Sequence, residues 1–203
     1  MAQHLRIARG HRWRLIRALL AGGLVLGIGT ATTLASWTDN EYVSGAFTTS
    51  SFDIQSSLDG SVWADHGTSG AAASMTFNGS GMSPTAVRYA PLYVRTKPGS
   101  VSGTLALQGG TSNNTALAAG LQYRVVTFTG TCAAASFTGT PTFVVGSSSA
   151  SATIGTAGST TPVTANGASN SQLCFEVSML ASADNTLQGQ AITIIWQLIA
   201  TSS

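Results

Sequence analysis

After residue 36 the chain consists of short runs in which apolar and polar residues alternate, separated by stretches rich in Gly, Ser, Thr and Asn. In LCFEVSML, every second residue from Leu173 to Met179 is apolar, whereas Glu176 lies on the opposite face. Alternation with a period of two places one face of an antiparallel sheet against a core. Many such runs joined by polar turns predict an all-β domain, either a sandwich or a barrel.

The predicted strands are GAFTTSSFDIQ from residue 45, SVW from 61, AASMTFN from 72, AVRYAPLYVRT from 86, VSGTLALQ from 101, LQYRVVTF from 121, TFVVG from 142, LCFEVSML from 173 and QAITIIWQLIAT from 190. In the last run Trp196 is predicted to face the core, and Pro91 favours an edge or a bulge for its own strand. Residues 146–171 are low in complexity and predict a flexible loop or a long hairpin. NNTALAAGL, from residue 113, permits one short turn of helix.

The first 35 residues differ from the rest in charge and hydropathy. Five Arg residues and no acid occupy residues 1–17, and residues 18–38 carry no charge. A basic start, an apolar stretch and a small-residue end are typical of a secretory signal peptide. We predict that residues 1–35 are removed by cleavage between Ala35 and Ser36, which leaves residues 36–203 as one exported β-sandwich domain.

Two alternatives stay open for this leader. Cleavage after Ala31 would also place small residues before the cut. Retention as a membrane anchor is the other alternative, because the uncharged run is about long enough to span a bilayer. Four glycines within residues 22–29 weaken that run as a helix. Removal is therefore the favoured interpretation, and the protein would meet a membrane only through the leader, before cleavage.

The charge of the predicted mature chain excludes one class of partner. The whole chain has a net charge of +2, but five of its nine basic residues lie in the leader. Residues 36–203 contain four basic and seven acidic residues, a net charge of 4 − 7 = −3. Binding to nucleic acid depends on clustered Lys and Arg, so no nucleic-acid partner is predicted.

Cys132 and Cys174 are the two cysteines of the chain, and both lie in the exported part. An even number of cysteines in an extracellular chain favours a disulfide. The loop that this bond closes would give about 3–4 kcal/mol of stabilisation by the chain-entropy model. Two unrelated buried thiols are the alternative.

Catalytic and metal-binding motifs are scarce in the predicted mature chain. His66 is its single histidine, so a zinc site with two or three histidines cannot form within one chain. A Ser-His-Asp triad would have to use His66, and its neighbour Asp65 points in a different direction in a strand or turn. We therefore predict no enzyme activity, no catalytic or metal site, and no cofactor.

The two ends of the predicted mature chain carry a family resemblance. GIGTATTLASWTDNEYVSGAFTTSSFDI (27–54) places Gly27 and Gly29 before the predicted cut, then Trp37, Asp39 and Glu41 after it. CFEVSMLASADNTLQGQAITIIWQLIAT (174–201) closes the chain. Together they resemble the TasA/camelysin family, in particular its actinobacterial branch of alternate signal-mediated exported proteins. The resemblance implies export through a dedicated SipW-type signal peptidase and a jelly-roll-like β-sandwich.

Residues 36–48, which we call the arm, are predicted to have a function in the mature chain, after the leader has been cleaved. The arm carries Trp37, Tyr42, Val43 and Phe47, whose burial would be favourable, and an exposed strand tends to pair with another sheet edge. The resemblance implies that subunits donate this segment to the next subunit. The sequence thus predicts a secreted structural protein that self-associates into extracellular or biofilm-matrix fibres.

A secreted monomer is the competing hypothesis. In that case the arm would fold back as the first strand of its own sandwich. The monomer would then be an adhesive or glycan-binding surface module that uses its polar loops and Trp63.

Overall fold

The computed structural model of the chain describes residues 12–23, 39–79 and 81–203. The chain divides into two units, Met1–Phe47 and Thr48–Ser203. Every described strand belongs to the second unit.

The first unit has two described parts. Residues 12–23 form helix α1, whose side chains are exposed, and residues 39–47 have no regular secondary structure. No described helix is long and apolar enough to cross a membrane. The predicted cleavage bond between Ala35 and Ser36 lies outside the described residues, as does Trp37.

Antiparallel strands dominate the second unit, and the larger of its two layers is the main sheet. Its strands are β1 (Ile54–Ser57), β2 (Val87–Thr96), β5 (Leu121–Thr127), β6 (Phe143–Val145), β7 (Ala152–Thr153) and β9 (Ser171–Met179). They are ordered β1-β2-β9-β5-β6, with β7 also paired to β5. At Pro91, β2 pairs with β9 but not with the shorter β1, so the missing amide of proline removes no ladder hydrogen bond on the β1 side.

The other layer, the second sheet, is built from two short sets of strands. Its strands are β3 (Gly103–Leu107), β4 (Thr111–Ser112), β8 (Thr160–Val163), β10 (Ile194–Ile195) and β11 (Leu198–Ser202). One set has the order β11-β3-β8, and the other is the pair β10-β4. Because β10 and β11 follow each other directly along the chain and pair with β4 and β3 respectively, the two sets form one continuous layer.

Helical turns lie in the connections. Helix α2 spans Thr115–Ala119, and the Asn114 side chain caps it by accepting a hydrogen bond from the Leu117 amide at 3.0 Å. The described 3₁₀ turns are Ser69–Ala71, Ala134–Phe137, Ala165–Gly167 and Asn185–Leu187.

The core lies between the two layers and confirms the all-β prediction. The alternating apolar residues of β9 face Leu105 and Leu107 of β3. Tyr123 and Phe175 are the largest of the fully buried side chains, and burial raises the pKa of the Tyr123 phenol. Period-two alternation therefore produces a β-sandwich, while its jelly-roll connectivity stays a prediction.

A second apolar cluster covers the opposite face of the main sheet. Its buried members are Val126, Phe128, Phe137 and Cys174. The connection between β5 and β6 supplies Phe137, whose ring lies 5.8 Å from that of Tyr89. Strand β9 is consequently buried on both faces.

The predicted disulfide is confirmed. Cys132 lies in the connection between β5 and β6 and is bonded to Cys174 of β9, with 5.3 Å between their Cα atoms. The bond fastens this connection to the outer face of the main sheet, where it covers the second cluster.

An ion pair lies beneath the same connection. Arg124 of β5 donates from Nε to Glu176 Oε1 at 2.7 Å and from its Nη2 to Oε2 at 2.8 Å. The Glu176 side chain is 6% exposed, and its hydrogen bond to the guanidinium raises the pKa of Arg124. Glu176 thus points away from the main core, as the alternation predicts, but it is buried all the same.

Several predicted strands differ from the structure. The first run is wrong over most of its length, because β1 begins only at Ile54. SVW and AASMTFN form no strand, and the last run is divided into β10 and β11 at Trp196 and Gln197. Residues 146–171 contain β7 and β8, so they are neither a plain loop nor a simple hairpin. Short polar runs satisfy their backbone groups by turns and side chains as well as by pairing, which local alternation does not reveal.

We expect removal of the disulfide to destabilise the sandwich. In Cys132→Ala/Cys174→Ala, the unfolded chain regains the freedom of a loop closed at a separation of 42 residues, a loss of about 3–4 kcal/mol in the free energy of unfolding. Urea denaturation of the variant, and of the unaltered protein with and without reductant, measures this difference. A loss below about 1 kcal/mol would contradict the entropic account.

Glu176→Gln should destabilise the protein by about 3 kcal/mol, because it leaves the largely desolvated guanidinium of Arg124 without its counter-charge. Replacing both partners, in Arg124→Met/Glu176→Met, should restore part of the loss. The matched control is Asp65→Asn at the more exposed Lys97 ion pair, where solvent screens the charges and a much smaller change is expected. Both variants are compared by urea denaturation. Equal losses in Glu176→Gln and Asp65→Asn would show that burial does not determine how much an ion pair contributes to the free energy of unfolding.

Candidate functional site

An apolar groove runs along one side of the sandwich, within the unit Thr48–Ser203. It consists of two adjoining cavities of about 860 and 770 Å³. Met75, Ile194 and Trp196 line both cavities. Cavities of this size are in the range of ligand sites, and their common lining makes them one elongated groove.

Strand β10 and strand β11 form one wall of the groove, and the connection between β1 and β2 forms the other. From that connection, Met75, Phe77 and Met82 pack against the core while remaining partly exposed. Trp196 lies at the centre, with its ring 5.7 Å from Tyr123 and 5.3 Å from Phe175. The prediction that Trp196 faces the core is therefore correct for one side of the ring. The ring also lines both cavities of the groove.

The strand that borders the groove has a free edge. Strand β10 pairs with β4 and β11 pairs with β3, and no strand among residues 39–79 and 81–203 pairs with their other side. Residues 190–203 contain no charge and no proline. Proteins commonly protect exposed edges with proline or charged residues, and the opposite edge of the same sheet has Pro162 in β8. The edge along the groove, which we call the free edge, lacks both forms of protection.

Charged side chains mark the two ends of the groove. Arg88 lines the larger cavity. At the other end, Lys97 Nζ lies 2.6 Å from Asp53 Oδ2 and 2.7 Å from Asp65 Oδ2, and these two carboxylates raise the pKa of Lys97. The Lys97 end thus has two carboxylates for one lysine.

The predicted donor residues that lie within the described part of the arm are exposed. Tyr42, Val43 and Phe47 are 91%, 92% and 96% exposed, respectively. Residues 39–50 form no strand. Large apolar side chains so exposed are available for burial elsewhere, and the arm has backbone groups that can pair with a strand.

Two residue pairs bear on the other functional predictions. Ser56 Oγ lies 2.8 Å from His66 Nδ1. This pair could be the nucleophile and the base of a triad, but Asp65 forms an ion pair with Lys97 instead of orienting His66.

Trp63 is half-buried, and the guanidinium of Arg95 lies 4.1 Å from its ring centroid, so one face of this ring is already occupied. Among residues 12–23, 39–79 and 81–203, no three His, Cys, Asp or Glu side chains are grouped to hold a metal ion.

Two comparisons with known proteins found no match. No protein-family model matches the chain, and no curated protein matches it. The resemblance to the TasA/camelysin family is therefore a proposal based on the motifs quoted above.

The groove and the free edge were missed by sequence reasoning. A signal was present in the last fourteen residues, whose uncharged and proline-free composition is unusual for an edge strand. Alternation alone predicts that this strand is half-buried, but it does not say whether one or two neighbours flank it.

The two half-buried tryptophans should differ sharply in their contribution to stability. Trp196→Ala removes contacts with two buried aromatic rings and should lower the free energy of unfolding by about 3 kcal/mol. Trp63→Ala removes the stacking with Arg95, which is worth about 0.5–1 kcal/mol, and no contact with a fully buried aromatic ring. Urea denaturation of both variants measures the difference, and equal losses would contradict the placement of Trp196 against the core.

Proposed function

We propose that this protein is a secreted structural subunit that polymerises by inserting the arm of one copy into the groove of the next. The single observation that carries the proposal is that one chain has both an exposed apolar segment and an unpaired, uncharged strand edge beside an apolar groove. Each feature supplies what the other lacks, since the arm needs a backbone partner and the free edge needs a strand.

The pattern and length of the arm support this fit. In an extended strand, Val43 and Phe47 lie on one face, which Trp37 shares, whereas Tyr42 lies on the other. The thirteen residues of the arm would span about 43 Å at 3.3 Å per residue, and the nine residues from Ile194 to Ser202 about 30 Å. The arm is therefore long enough to cover the free edge and to place its large side chains in the groove.

The mode of contact determines the form of the assembly. The arm and the groove are different surfaces of the chain, so the contact is head-to-tail and leaves one unused arm and one unused groove at every stage. Contacts of this type give open filaments unless they close into a ring. The low charge of the domain opposes such contacts only weakly.

Export and cleavage complete the proposal. A signal peptidase would release the leader before Ser36 and free the arm. The Cys132–Cys174 disulfide is compatible with an extracellular location, because such bonds persist in oxidising compartments.

The glycan-binding alternative has less support, since Arg95 already stacks on Trp63.

Electron microscopy and sedimentation of the chain that begins at Ser36 test the proposal. We expect regular filaments, and we expect them to be lost when residues 36–43 are deleted or when Val43→Asp/Phe47→Asp places charge on the groove-facing side of the arm. Ser44→Asp/Ala46→Asp adds the same charge to the opposite face of the arm and should retain filaments. A chain beginning at Ser36 that stays monomeric at high concentration would refute the fibre hypothesis, and glycan binding abolished by Trp63→Ala would then favour the surface module.

A further inference from the structure

Arg88 and Arg95 are the two basic residues within residues 48–79 and 81–203 that form no ion pair with a carboxylate. Lys97 and Arg124 form ion pairs with carboxylates, and Arg95 stacks on Trp63. Arg88 donates hydrogen bonds to the carbonyl oxygens of Val87 at 3.0 Å and Gly81 at 3.2 Å. Among the described residues, no carboxylate lies within ion-pair distance of it.

The surroundings of Arg88 make this unpaired charge unfavourable. The side chain is half-buried and its Nε is buried without a hydrogen-bond partner. It lines the groove together with the apolar side chains of Met82, Val177 and Met179. A partly desolvated cation is stabilised by an opposite charge that arrives in the same apolar surroundings.

The arm carries the complementary charge. Asp39 and Glu41 are its two charged residues, and both precede Val43 and Phe47. In an extended strand they share a face with Val43 and Phe47, so a strand that places those apolar side chains in the groove also directs its carboxylates there. Burying a carboxylate in an apolar groove is unfavourable unless a cation pairs with it.

The opposite end of the groove does not offer such a cation. Lys97 is already shared between Asp53 and Asp65, and a further carboxylate would be repelled there. Asp184 also lines the Arg88 end, but its carboxylate accepts a hydrogen bond from the Thr186 amide at 2.7 Å. The distribution of charge thus favours Arg88 as the partner of the acidic end of the arm.

We infer that Arg88 binds the carboxylates of Asp39 and Glu41 from a second copy of this chain, and that this ion pairing sets the direction in which the arm enters the groove. The larger cavity, with Arg88, lies at the β10 end, and the Lys97 cavity extends along β11. An arm whose acidic start lies at Arg88 therefore runs parallel to β10 and β11, and the donor's own sandwich lies beyond the Lys97 end. This inference rests on the proposed function and gives the filament a defined polarity.

Charge reversal tests the inference on the chain that begins at Ser36. Arg88→Glu should raise the critical concentration for filament formation at least about tenfold, the change that corresponds to about 1.4 kcal/mol. Combining it with Asp39→Arg/Glu41→Arg should restore the critical concentration to within about threefold of the unaltered chain, which a merely structural role of Arg88 would not allow. High salt should reduce the difference between the unaltered chain and Arg88→Glu.

Arg95→Glu is the matched control, because Arg95 lies on the same strand and does not line the groove. It should leave the critical concentration unchanged, and it should not be compensated by Asp39→Arg/Glu41→Arg. Circular dichroism checks that each variant folds; if Arg88→Glu does not, Arg88→Met retains the apolar stem and should show the same tenfold rise.

The outcomes separate the two proposals. Filaments that form equally well with Arg88→Glu or Arg88→Met, or that the reversed arm fails to restore, would overturn the role of Arg88 and leave the fibre hypothesis intact. If the unaltered chain forms no filaments at all, the fibre hypothesis itself fails, and the inference about Arg88 fails with it.

Discussion

Burial of β9 on both faces is the constraint on which the rest of the sandwich depends. On one face its apolar residues pack against the second sheet, and on the other Cys174 and Glu176 lie beneath the connection between β5 and β6. A strand buried on both faces needs a partner for every polar group that it carries. The disulfide and the bidentate pair with Arg124 meet this need, so the polar side of β9 becomes part of the folded interior.

The two sides of the second sheet end differently. Strand β8, with Pro162, closes one side, while β10 and β11 leave the other side unpaired beside a groove. An uncharged strand edge next to apolar side chains favours pairing with another strand. The fibre hypothesis follows from this asymmetry together with the exposed arm, and the position of Arg88 adds a direction to it.

Sequence reasoning succeeded where the burial of a residue depends on its immediate neighbours. The alternation in LCFEVSML placed Phe175 in the core and Glu176 on the opposite face, and the cysteine count predicted the bond between Cys132 and Cys174. It failed where the backbone N–H and C=O groups of a segment can form hydrogen bonds in several ways. SVW and AASMTFN have strand-forming residues but form turns and irregular structure, and GAFTTSSFDIQ becomes a strand only at its end. Residues 146–171 supplied β8 to the second sheet despite their low complexity.

The class of fold, and the face on which most strand residues lie, can be deduced from the amino-acid pattern, because side chains alternate along any extended strand whatever its neighbours are. The sequence also separates a basic N-terminal segment, residues 1–17, from an acidic, cysteine-containing domain. Three features emerge from the folded chain alone: Glu176 is buried, β10 and β11 have a free edge, and Arg88 lies in the groove without an acidic partner. These features depend on which distant segments of the chain pair with and cover one another. Such long-range contacts produce no periodic pattern in the sequence from which they could be predicted.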